Sequence, residues 1–375
     1  ETDTPASDEP YRVLVLGGIS AEGALANNAA TSVLSAQASA EVVNAAGGIL
    51  GRQVEVTVVD DKGDPTAAVT QLREAINSDT PPDLVLNSGP STVADATLPI
   101  ISQAGILSFN IGPTATSSDP AQFPLNFDLS PGPAEYMEGF ISYLEGEGYE
   151  NIAIIHGSSS YGEFFGQLSE EKLTEAGFTV VGNEEYDVAS LDMTPQLATL
   201  QAAEPDAVVL DAYGAPLGYV LQGVEKLGWD VPLVGNNSVS ATALISTDPP
   251  SGVLGTPAVE NLVMEIFKST KKDPDATLVN EAVEAMTSLG EIKSTLILAY
   301  NYDSLPLIKA AAESVGSLDD PAAIAKALED TAVTAEAKTA ILGQYNFSAE
   351  AHSPHATGDE FLFISPSKIV NGQFQ

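Results

Sequence analysis

The same strand–loop–helix–strand pattern occurs twice in this sequence. The copies comprise strand-like runs at 11–16 and 54–59 around a helical stretch to about Ala46, and runs at 151–156 and 178–181 around a helical stretch to Ala176. Glycine follows each helical stretch, at Gly47 and Gly177. Glycine is typical directly after a helix because it adopts the left-handed conformation without a Cβ penalty. Strands that alternate with helices predict βαβ units and a parallel sheet covered by helices.

Each half of the chain continues in the same way. Further strand-like runs occur at 82–87 and 106–110 in the first half and at 205–210 and 232–235 in the second, and a helix is expected at 260–272. The strands end in Asn, Gly, Ser or Asp, at the sheet edge where open α/β folds bind ligands. The pattern predicts an α/β protein with two doubly wound parallel-sheet lobes that present polar residues to a ligand.

The charge of the chain excludes several classes of partner. It has 52 acidic and 14 basic residues among 375, a formal net charge of −38. Nucleic acids and anionic membrane surfaces repel such a polyanion, so no nucleic-acid partner is expected. The 44% of hydrophobic residues, arranged in many short runs, argues against a disordered chain. No apolar run approaches the roughly 20 residues that span a bilayer.

Motifs for catalysis and for cofactors do not occur in the sequence. There is no G-x-G-x-x-G after a strand, no Walker loop and no G-x-S-x-G elbow. Cysteine is absent, which excludes thiol nucleophiles and thiolate metal sites. His156, His352 and His355 are scattered and do not form a metal-binding pattern. We therefore expect no enzyme, no cofactor and no metal.

The first ten residues differ in character from the rest. Residues 1–10 are acidic, contain proline and include no apolar targeting segment. They predict a solvated tether ahead of the first strand and a mature form from which a leader has been removed. An ordinary frayed terminus explains the same residues equally well.

Several motifs resemble one family. The segments 44–51 (NAAGGILG) and 60–65 (DDKGDP) resemble the "N-x-x-GGI-x-G … DD-x-x-DP" signature of type I solute-binding proteins, the extracytoplasmic receptors of ABC importers. The resemblance continues through 89–92 (GPST), 156–163 (HGSSSYGE) and 192–195 (DMTP). These motifs follow one another at compatible spacing over nearly the whole chain, which is more specific than any single one.

The resemblance implies a two-lobed Venus-flytrap protein of the periplasmic binding protein type I fold. It implies three hinge crossings, which we place near 128–131, 255–259 and 341–345, where Gly and Pro suit boundary segments. The expected parts are a tether at 1–10, lobe I at 11–129 with 258–342, and lobe II at 130–257 with 343–375.

The resemblance also implies a function. It is that of a monomeric receptor that holds a small polar solute in an interlobe cleft and delivers it to an ABC permease. The solute would be an amino acid, an amide or urea, or an aromatic or hydroxylated carboxylate. The expected location is extracytoplasmic, in the periplasm or on the outer face of the membrane as a lipid-anchored protein. The alternative is a ligand-sensing module of the same fold that regulates a partner protein.

On lobe I, the resemblance implies that a ligand carboxylate is held by neutral donors. The matching positions are Ser91 with Thr92 after the third strand, and Gly112 to Thr114 after the fourth. Hydroxyls and backbone N–H groups at helix N-termini suit an anion. The alternative is that Ser91 and Thr114 only cap the helices that follow.

No Lys or Arg occurs in the six loops expected at the carboxyl edges of the strands, so a bidentate guanidinium clamp on an anion is not expected. These loops are 17–31, 87–95, 110–118, 156–165, 211–218 and 235–242. Recognition of an anion would rest on N–H dipoles and hydroxyl groups.

On lobe II, the resemblance implies aromatic ligand contacts at Tyr161 and Tyr213, although Tyr213 could equally be a core residue. The chain departs from the amino-acid-binding relatives at two positions: Asn237 replaces a Glu that pairs with the ligand ammonium, and Asn28 replaces an aromatic residue. An amide cannot supply the charge that a desolvated ammonium requires. Asp211 could take over that pairing, or it could be a solvated strand terminus.

Overall fold

Strands and helices alternate along the chain as the repeated pattern predicts. The computed structural model describes residues 9–355, 358 and 360–375. Unit 1 comprises the residues up to Ser130 together with Asp273–His355, and unit 2 comprises Pro131–Lys272 together with the segment that ends at Gln375. Of the tether predicted at 1–10, residues 1–8 lie outside the described part of the chain.

Unit 1 contains a parallel five-stranded sheet with helices on it. Its strands are β1 (Tyr11–Gly17), β2 (Val54–Asp60), β3 (Leu84–Asn87), β4 (Leu107–Asn110) and β5 (Asn126–Asp128), in the spatial order β2-β1-β3-β4-β5. Its helices are α1 (Ala24–Ala45), α2 (Pro65–Ile76), α3 (Ser91–Ala104), α9 (Thr277–Leu289), α10 (Asn301–Val315), α11 (Pro321–Leu328) and α12 (Thr331–Thr334).

Helix α1 joins distant parts of the sequence inside unit 1. The Ser39 hydroxyl donates to the Tyr302 carbonyl oxygen at 2.7 Å, and the Ser32 hydroxyl donates to the Leu298 carbonyl oxygen at 2.6 Å. The buried face of α1 consists of small and hydroxyl-bearing residues as well as apolar ones. Helix α1 therefore packs on α10 closely enough for side-chain hydroxyls to bind backbone.

Unit 2 contains a six-stranded sheet, parallel except at one edge. Its strands are β6 (Asn151–Gly157), β7 (Thr179–Tyr186), β8 (Ala207–Leu210), β9 (Leu233–Gly235), β10 (Leu262–Phe267) and β11 (Phe361–Ile364), in the order β11-β10-β9-β8-β6-β7, and β12 (Ile369–Val370) pairs with β13 (Gln373–Phe374). Its helices are α4 (Pro133–Glu147), α5 (Ser160–Glu175), α6 (Thr194–Ala202), α7 (Ala215–Lys226) and α8 (Asn237–Ser240). Apolar clusters cover both faces of this sheet, as a doubly wound sheet requires.

Strand β10 shows that the helix predicted at 260–272 is wrong. Residues Leu262–Phe267 form a strand that pairs in parallel with β9, and a short 3₁₀ turn at Lys268–Thr270 follows. A short run that is apolar on both faces has no period that separates a strand from a helix. Because β10 belongs to the second sheet, unit 2 extends to Lys272, beyond the predicted boundary at 257/258.

The segment 341–345, predicted as the third crossing, lies inside unit 1, and Asp303 fixes it there together with Ala340. The buried Asp303 carboxylate accepts the backbone N–H groups of Ala340, Ile341 and Leu342 at 2.6–3.2 Å and the Tyr345 hydroxyl at 2.9 Å. Burial raises the pKa of Asp303 to about 6, and these donors oppose the shift. Unit 1 extends to His355, beyond the predicted boundary at 342/343.

The glycine motif at 44–51 is a tight turn between α1 and β2. The Asn44 amide accepts the Val54 N–H at 2.7 Å and donates to the Val54 carbonyl at 2.9 Å. Gly48 has φ of 78°, and a Cβ there would lie 2.1 Å from the Arg52 carbonyl oxygen, so only glycine fits. The family signature at this position is therefore explained by chain geometry.

Strand β10 carries one carboxyl group into the interior of unit 2. Glu265 is fully buried, and among the described residues neither of its carboxylate oxygens has a hydrogen-bond partner. Gly139 of α4 leaves room for this side chain, because a Cβ at Gly139 would lie 2.3 Å from Oε1 of Glu265. Burial raises the pKa of Glu265 well above its usual value.

Within the described residues, no helix combines the length and the apolar character needed to cross a membrane.

Candidate functional site

The carboxyl ends of β3, β4 and β5 bring the predicted lobe I residues to one edge of the unit 1 sheet. In the register of these strands, Asn87 is level with Asn110, and Asn110 is level with Asp128. Ser91 and Gly112 lie in the loops that follow β3 and β4. Parallel strands place such loops side by side, so the structure brings these two predicted segments together.

Ser91 is the first residue of α3 and is not its cap. Pro90 occupies the N-cap position and offers no side-chain hydrogen bond. Ser91 is 6% exposed, and within the described part of the chain nothing hydrogen-bonds to its hydroxyl. The interpretation of Ser91 as a helix cap is wrong. The Ser91 hydroxyl has no internal partner and is not fully enclosed, so it is a candidate for binding a ligand.

Gly112 lets the loop after β4 lie directly against Ser91. A Cβ at Gly112 would lie 2.9 Å from the Gly89 carbonyl oxygen and 2.9 Å from the Ser91 nitrogen. Any other residue would force the two loops apart. The Gly112 N–H donates to Oδ1 of Asn110 at 3.3 Å, so the contribution of Gly112 is this close approach.

Thr114 stabilises its own loop. Its Oγ1 accepts the backbone N–H groups of Thr116 at 3.3 Å and Ser117 at 3.2 Å, while its N–H donates to the Ser117 hydroxyl. That hydroxyl donates to the buried Asp128 carboxylate at 2.6 Å. Residues 111–125 contain no helix, so the cap interpretation is wrong as stated, although Thr114 does cap a turn. Its hydroxyl hydrogen can still be donated to an anion.

Thr92 and Asn28 differ in exposure. Thr92 is exposed in the first turn of α3, whereas Asn28 is buried in α1 at 5% exposure. Both residues belong to helices that follow strands of the unit 1 sheet. Ser91 and Gly112 are better supported than these two as candidate ligand-binding residues.

In unit 2, the structure joins Tyr161 to Asn237. The Tyr161 hydroxyl donates to Oδ1 of Asn237 at 2.7 Å, from the start of α5 to the start of α8. The Tyr161 ring stacks on the fully buried Phe165, with ring centroids 6.2 Å apart and planes at 18°. Two residues named separately from the sequence thus form one fixed polar group at the carboxyl edge of this sheet.

Asp211, the predicted alternative partner for an ammonium, is enclosed. It is 4% exposed, and its Oδ1 accepts the Asn236 amide at 2.8 Å. Its Oδ2 lies 3.5 Å from the Gly157 nitrogen, and the Ser238 side chain also hydrogen-bonds to the carboxylate. Burial raises the pKa of Asp211, and these donors partly oppose the shift. The interpretation of Asp211 as a solvated strand terminus is wrong.

Tyr213 and His156 lie near the carboxyl edge of the unit 2 sheet. Tyr213 is half-buried after β8, which leaves its two interpretations open. His156 is buried, and the ring fills the space beside Gly166 of α5, where a Cβ would lie 2.1 Å from the ring. In the described part of the chain, no group of three or more His, Asp or Glu side chains is placed to hold a metal ion.

Sequence reasoning missed the residues that position this edge. Asn236 caps α8 by accepting the N–H groups of Ser238 and Val239, and it also holds Asp211. Ser159 caps α5 by accepting the Gly162 N–H at 3.0 Å. A Ser or Asn just before a helical stretch is the usual signal of an N-cap, and it was present at both positions.

Comparison with known proteins decides the family. A family model described as "Periplasmic binding protein" matches residues 10–359. The chain belongs to the periplasmic binding protein family. The predicted resemblance and the prediction of a substrate-binding receptor are thereby confirmed. Family members are binding proteins, and membership implies an extracytoplasmic location.

The relatives of this periplasmic binding protein cover most of its length. A protein from Brucella melitensis described as "Leu/Ile/Val-binding protein homolog 3" is 26% identical over 300 residues, which are 79% of this chain and 77% of the relative. An extracellular ligand-binding receptor from Rhodopseudomonas palustris HaA2 has a TM-score of 0.78 at 18% identity, covering 98% and 99% of the two chains.

A second solved structure is also similar to this chain in fold. A solute-binding protein of an ABC transporter from R. palustris, in complex with benzoate, has a TM-score of 0.68 at 17% identity, with 85% of each chain covered. These structures confirm the predicted α/β fold with two parallel-sheet lobes.

Proposed function

We propose that this protein captures a small carboxylate-containing solute outside the cytoplasm and delivers it to the permease of an ABC importer. Each unit has candidate binding residues at the carboxyl edge of its own sheet, and the flytrap closure implied by the family resemblance belongs to the same proposal. So do a monomeric state, a location in the periplasm or on a lipid anchor, and the absence of catalysis. The observation that carries the proposal is the Ser91 hydroxyl, which has no partner within the described residues and belongs to a residue whose backbone nitrogen lies against Gly112.

The chemistry of unit 1 favours an anion held by neutral donors. Ser91 has a hydrogen to donate, and Thr114 keeps its own after accepting two N–H groups. No Lys or Arg occurs in the six edge loops named above. The net charge of −38 does not prevent anion binding, because exposed charges are screened beyond about 8 Å at physiological ionic strength.

A thermal-shift screen tests the proposal directly. The panel consists of aliphatic amino acids, their 2-oxo and 2-hydroxy analogues, amides, ureas, and benzoate with its hydroxylated derivatives. A bound ligand raises the melting temperature by mass action, by an amount that grows with concentration above Kd. We expect at least one small carboxylate to do so. If no compound shifts the melting temperature at millimolar concentration, the proposal of a small-carboxylate receptor fails.

Ser91→Ala is expected to weaken binding of the carboxylate found in that screen by roughly tenfold to a hundredfold. A hydrogen bond to a charged group contributes about 1.5–3 kcal/mol. Because Ser91 satisfies no protein group, the melting temperature of the ligand-free protein should stay the same. Calorimetry measures the affinity and scanning calorimetry the stability.

Ser102→Ala is the matched control, since it lies in the same helix α3 at the opposite end. Equal affinities for Ser91→Ala and the unmodified protein would remove Ser91 from the site. Thr114→Val is a different experiment, because that change also removes the acceptor of two backbone N–H groups and should lower stability.

A further inference from the structure

The bond between Tyr161 and Asn237 fixes which end of the Asn237 amide can meet a ligand. The phenol is held by α5 and by stacking on Phe165, and it donates its hydrogen to Oδ1 at 2.7 Å. The oxygen and nitrogen of a side-chain amide point in different directions. With the oxygen turned to Tyr161, the nitrogen Nδ2 points elsewhere with two hydrogens to donate.

Those hydrogens have no acceptor in the described part of the chain, and Asn237 is half-buried at the carboxyl edge of the unit 2 sheet. This group therefore offers donors. An ammonium also consists of donors, which the two Nδ2 hydrogens repel, and the one lone pair left on the neutral Oδ1 does not supply the charge that a desolvated ammonium requires.

The carboxylates near this edge do not change that conclusion. Asp211 is enclosed by Asn236, Ser238 and Gly157, and Gly162 of α5 lies so close that a Cβ there would be 3.1 Å from Oδ2. Glu163 and Asp187 are exposed. A solvated carboxylate contributes little to holding an ammonium, so neither of them replaces the missing glutamate.

We propose that the ligand presents an oxygen acceptor to Nδ2 of Asn237 and has no ammonium at that position. This inference rests on the proposed function and narrows its ligand class. The ligand is a small carboxylate whose second polar group is a carbonyl, hydroxyl or carboxylate oxygen. Asn237 takes this second polar group.

Matched triplets of probes test the inference. Each triplet shares a carbon skeleton and a carboxylate and differs only at the second carbon: alanine, pyruvate and lactate; leucine, 4-methyl-2-oxopentanoate and 2-hydroxy-4-methylpentanoate; phenylalanine, phenylpyruvate and phenyllactate. Calorimetry on the full chain gives Kd for each. We expect an oxo or hydroxy member to bind at least about tenfold more tightly than its amino partner, the loss that one unmade hydrogen bond beside a desolvated charge produces.

Variants of Asn237 and of Tyr161 test whether the Asn237 amide causes this preference. Asn237→Asp places a carboxylate where the amide was, so the preference should reverse toward the amino member by about tenfold or more. Tyr161→Phe frees the amide to turn its oxygen outward, so the difference between oxo and amino members should shrink. Asp211→Asn should leave the preference unchanged, because Asp211 does not reach the ligand. Melting temperatures of all variants show whether each is folded.

The outcomes separate this inference from the proposed function. Tighter binding of an amino member by the unmodified protein overturns the inference, and leucine binding that Asp211→Asn abolishes overturns it and identifies Asp211 as the ammonium partner. If no triplet member binds but another carboxylate of the wider screen does, the inference is wrong and the proposed function stands. If nothing in the wider screen binds, both fail.

Discussion

Replacing Asp303 by alanine is expected to destabilise unit 1 by about 4 kcal/mol or more. The change removes the acceptor of three buried backbone N–H groups and of the Tyr345 hydroxyl. Each buried donor left without a partner costs about 1–3 kcal/mol. The whole segment 340–345 would lose its attachment to α10. Urea denaturation of the ligand-free protein, followed by circular dichroism, measures the loss.

Glu313→Ala is the control for that experiment. It lies on the same helix, is exposed and pairs with Lys309, so its replacement should change stability by less than about 0.5 kcal/mol. The stability of Asp303→Asn should lie between those of the two alanine variants. The asparagine amide keeps one acceptor oxygen, but its NH₂ group replaces the other oxygen and faces backbone N–H groups. Equal stability of Asp303→Ala and Glu313→Ala would show that the segment does not depend on Asp303.

Glu265→Gln is expected to stabilise the protein at neutral pH. Burial without a hydrogen-bond partner raises the pKa of Glu265 in the folded state above the unfolded value of about 4.5. Between those two pKa values the folded state retains a proton that the unfolded state has lost. Stability therefore falls by about 1.4 kcal/mol for each pH unit in that interval. Glutamine has nothing to titrate and avoids this loss.

The pH dependence distinguishes this cause from a change in packing. At pH 4 the Glu265→Gln variant and the unmodified protein should have similar melting temperatures. As the pH rises toward 8, the melting temperature of the variant should exceed that of the unmodified protein by an increasing amount. For a protein of this size, 1 kcal/mol corresponds to roughly 2–4 °C. Glu260→Gln, an exposed position just before β10, should show no such trend. A difference between Glu265→Gln and the unmodified protein that is constant with pH would rule out buried ionisation.

The ligand class that we propose differs from the ligands in the printed name of one relative. The B. melitensis relative is described as a branched-chain amino-acid-binding protein homologue at 26% identity. In this chain, Asn237 offers donors where amino-acid-binding relatives are expected to carry a glutamate. A receptor can keep the fold and exchange the ligand through a few side chains, because function depends on the site.

Much of the fold was predictable because its signals are local. The strands of both sheets, the helices between them and the glycines that end them follow from apolar runs and turn residues. The error at 260–272 arose from a run that is apolar on both faces, and it displaced a domain boundary. The third crossing was misplaced because Asp303, far away in sequence, fixes the segment 340–345.

The sequence allowed candidate site residues to be named, but it did not predict which of them would be hydrogen-bonded to each other. Ser91, Gly112, Tyr161 and Asn237 were named from motifs, and the structure places each at a carboxyl edge. The partnership of Tyr161 with Asn237, and the enclosure of Asp211 by Asn236, depend on which loops the sheet order brings together. Hydrogen-bond partners remote in sequence leave no signal in a single chain.

Because α1 and α10 are far apart in the sequence, α1 is synthesised well before the helix on which it packs. Residues 24–45 leave the ribosome long before 301–315, and all of 131–272 is synthesised in between, so α1 waits without its partner. The buried face of α1 contains Ser32, Ser35 and Ser39 beside alanines, Val33, Leu34 and Val43. Each serine exposes less apolar area than a leucine at its position would. We expect a nascent chain with that surface to aggregate less while residues 131–272 are being synthesised. The hydroxyl groups of α1 thus serve both the unfinished chain, where they bind water, and the finished one, where Ser32 and Ser39 bind the backbone of the α10 region.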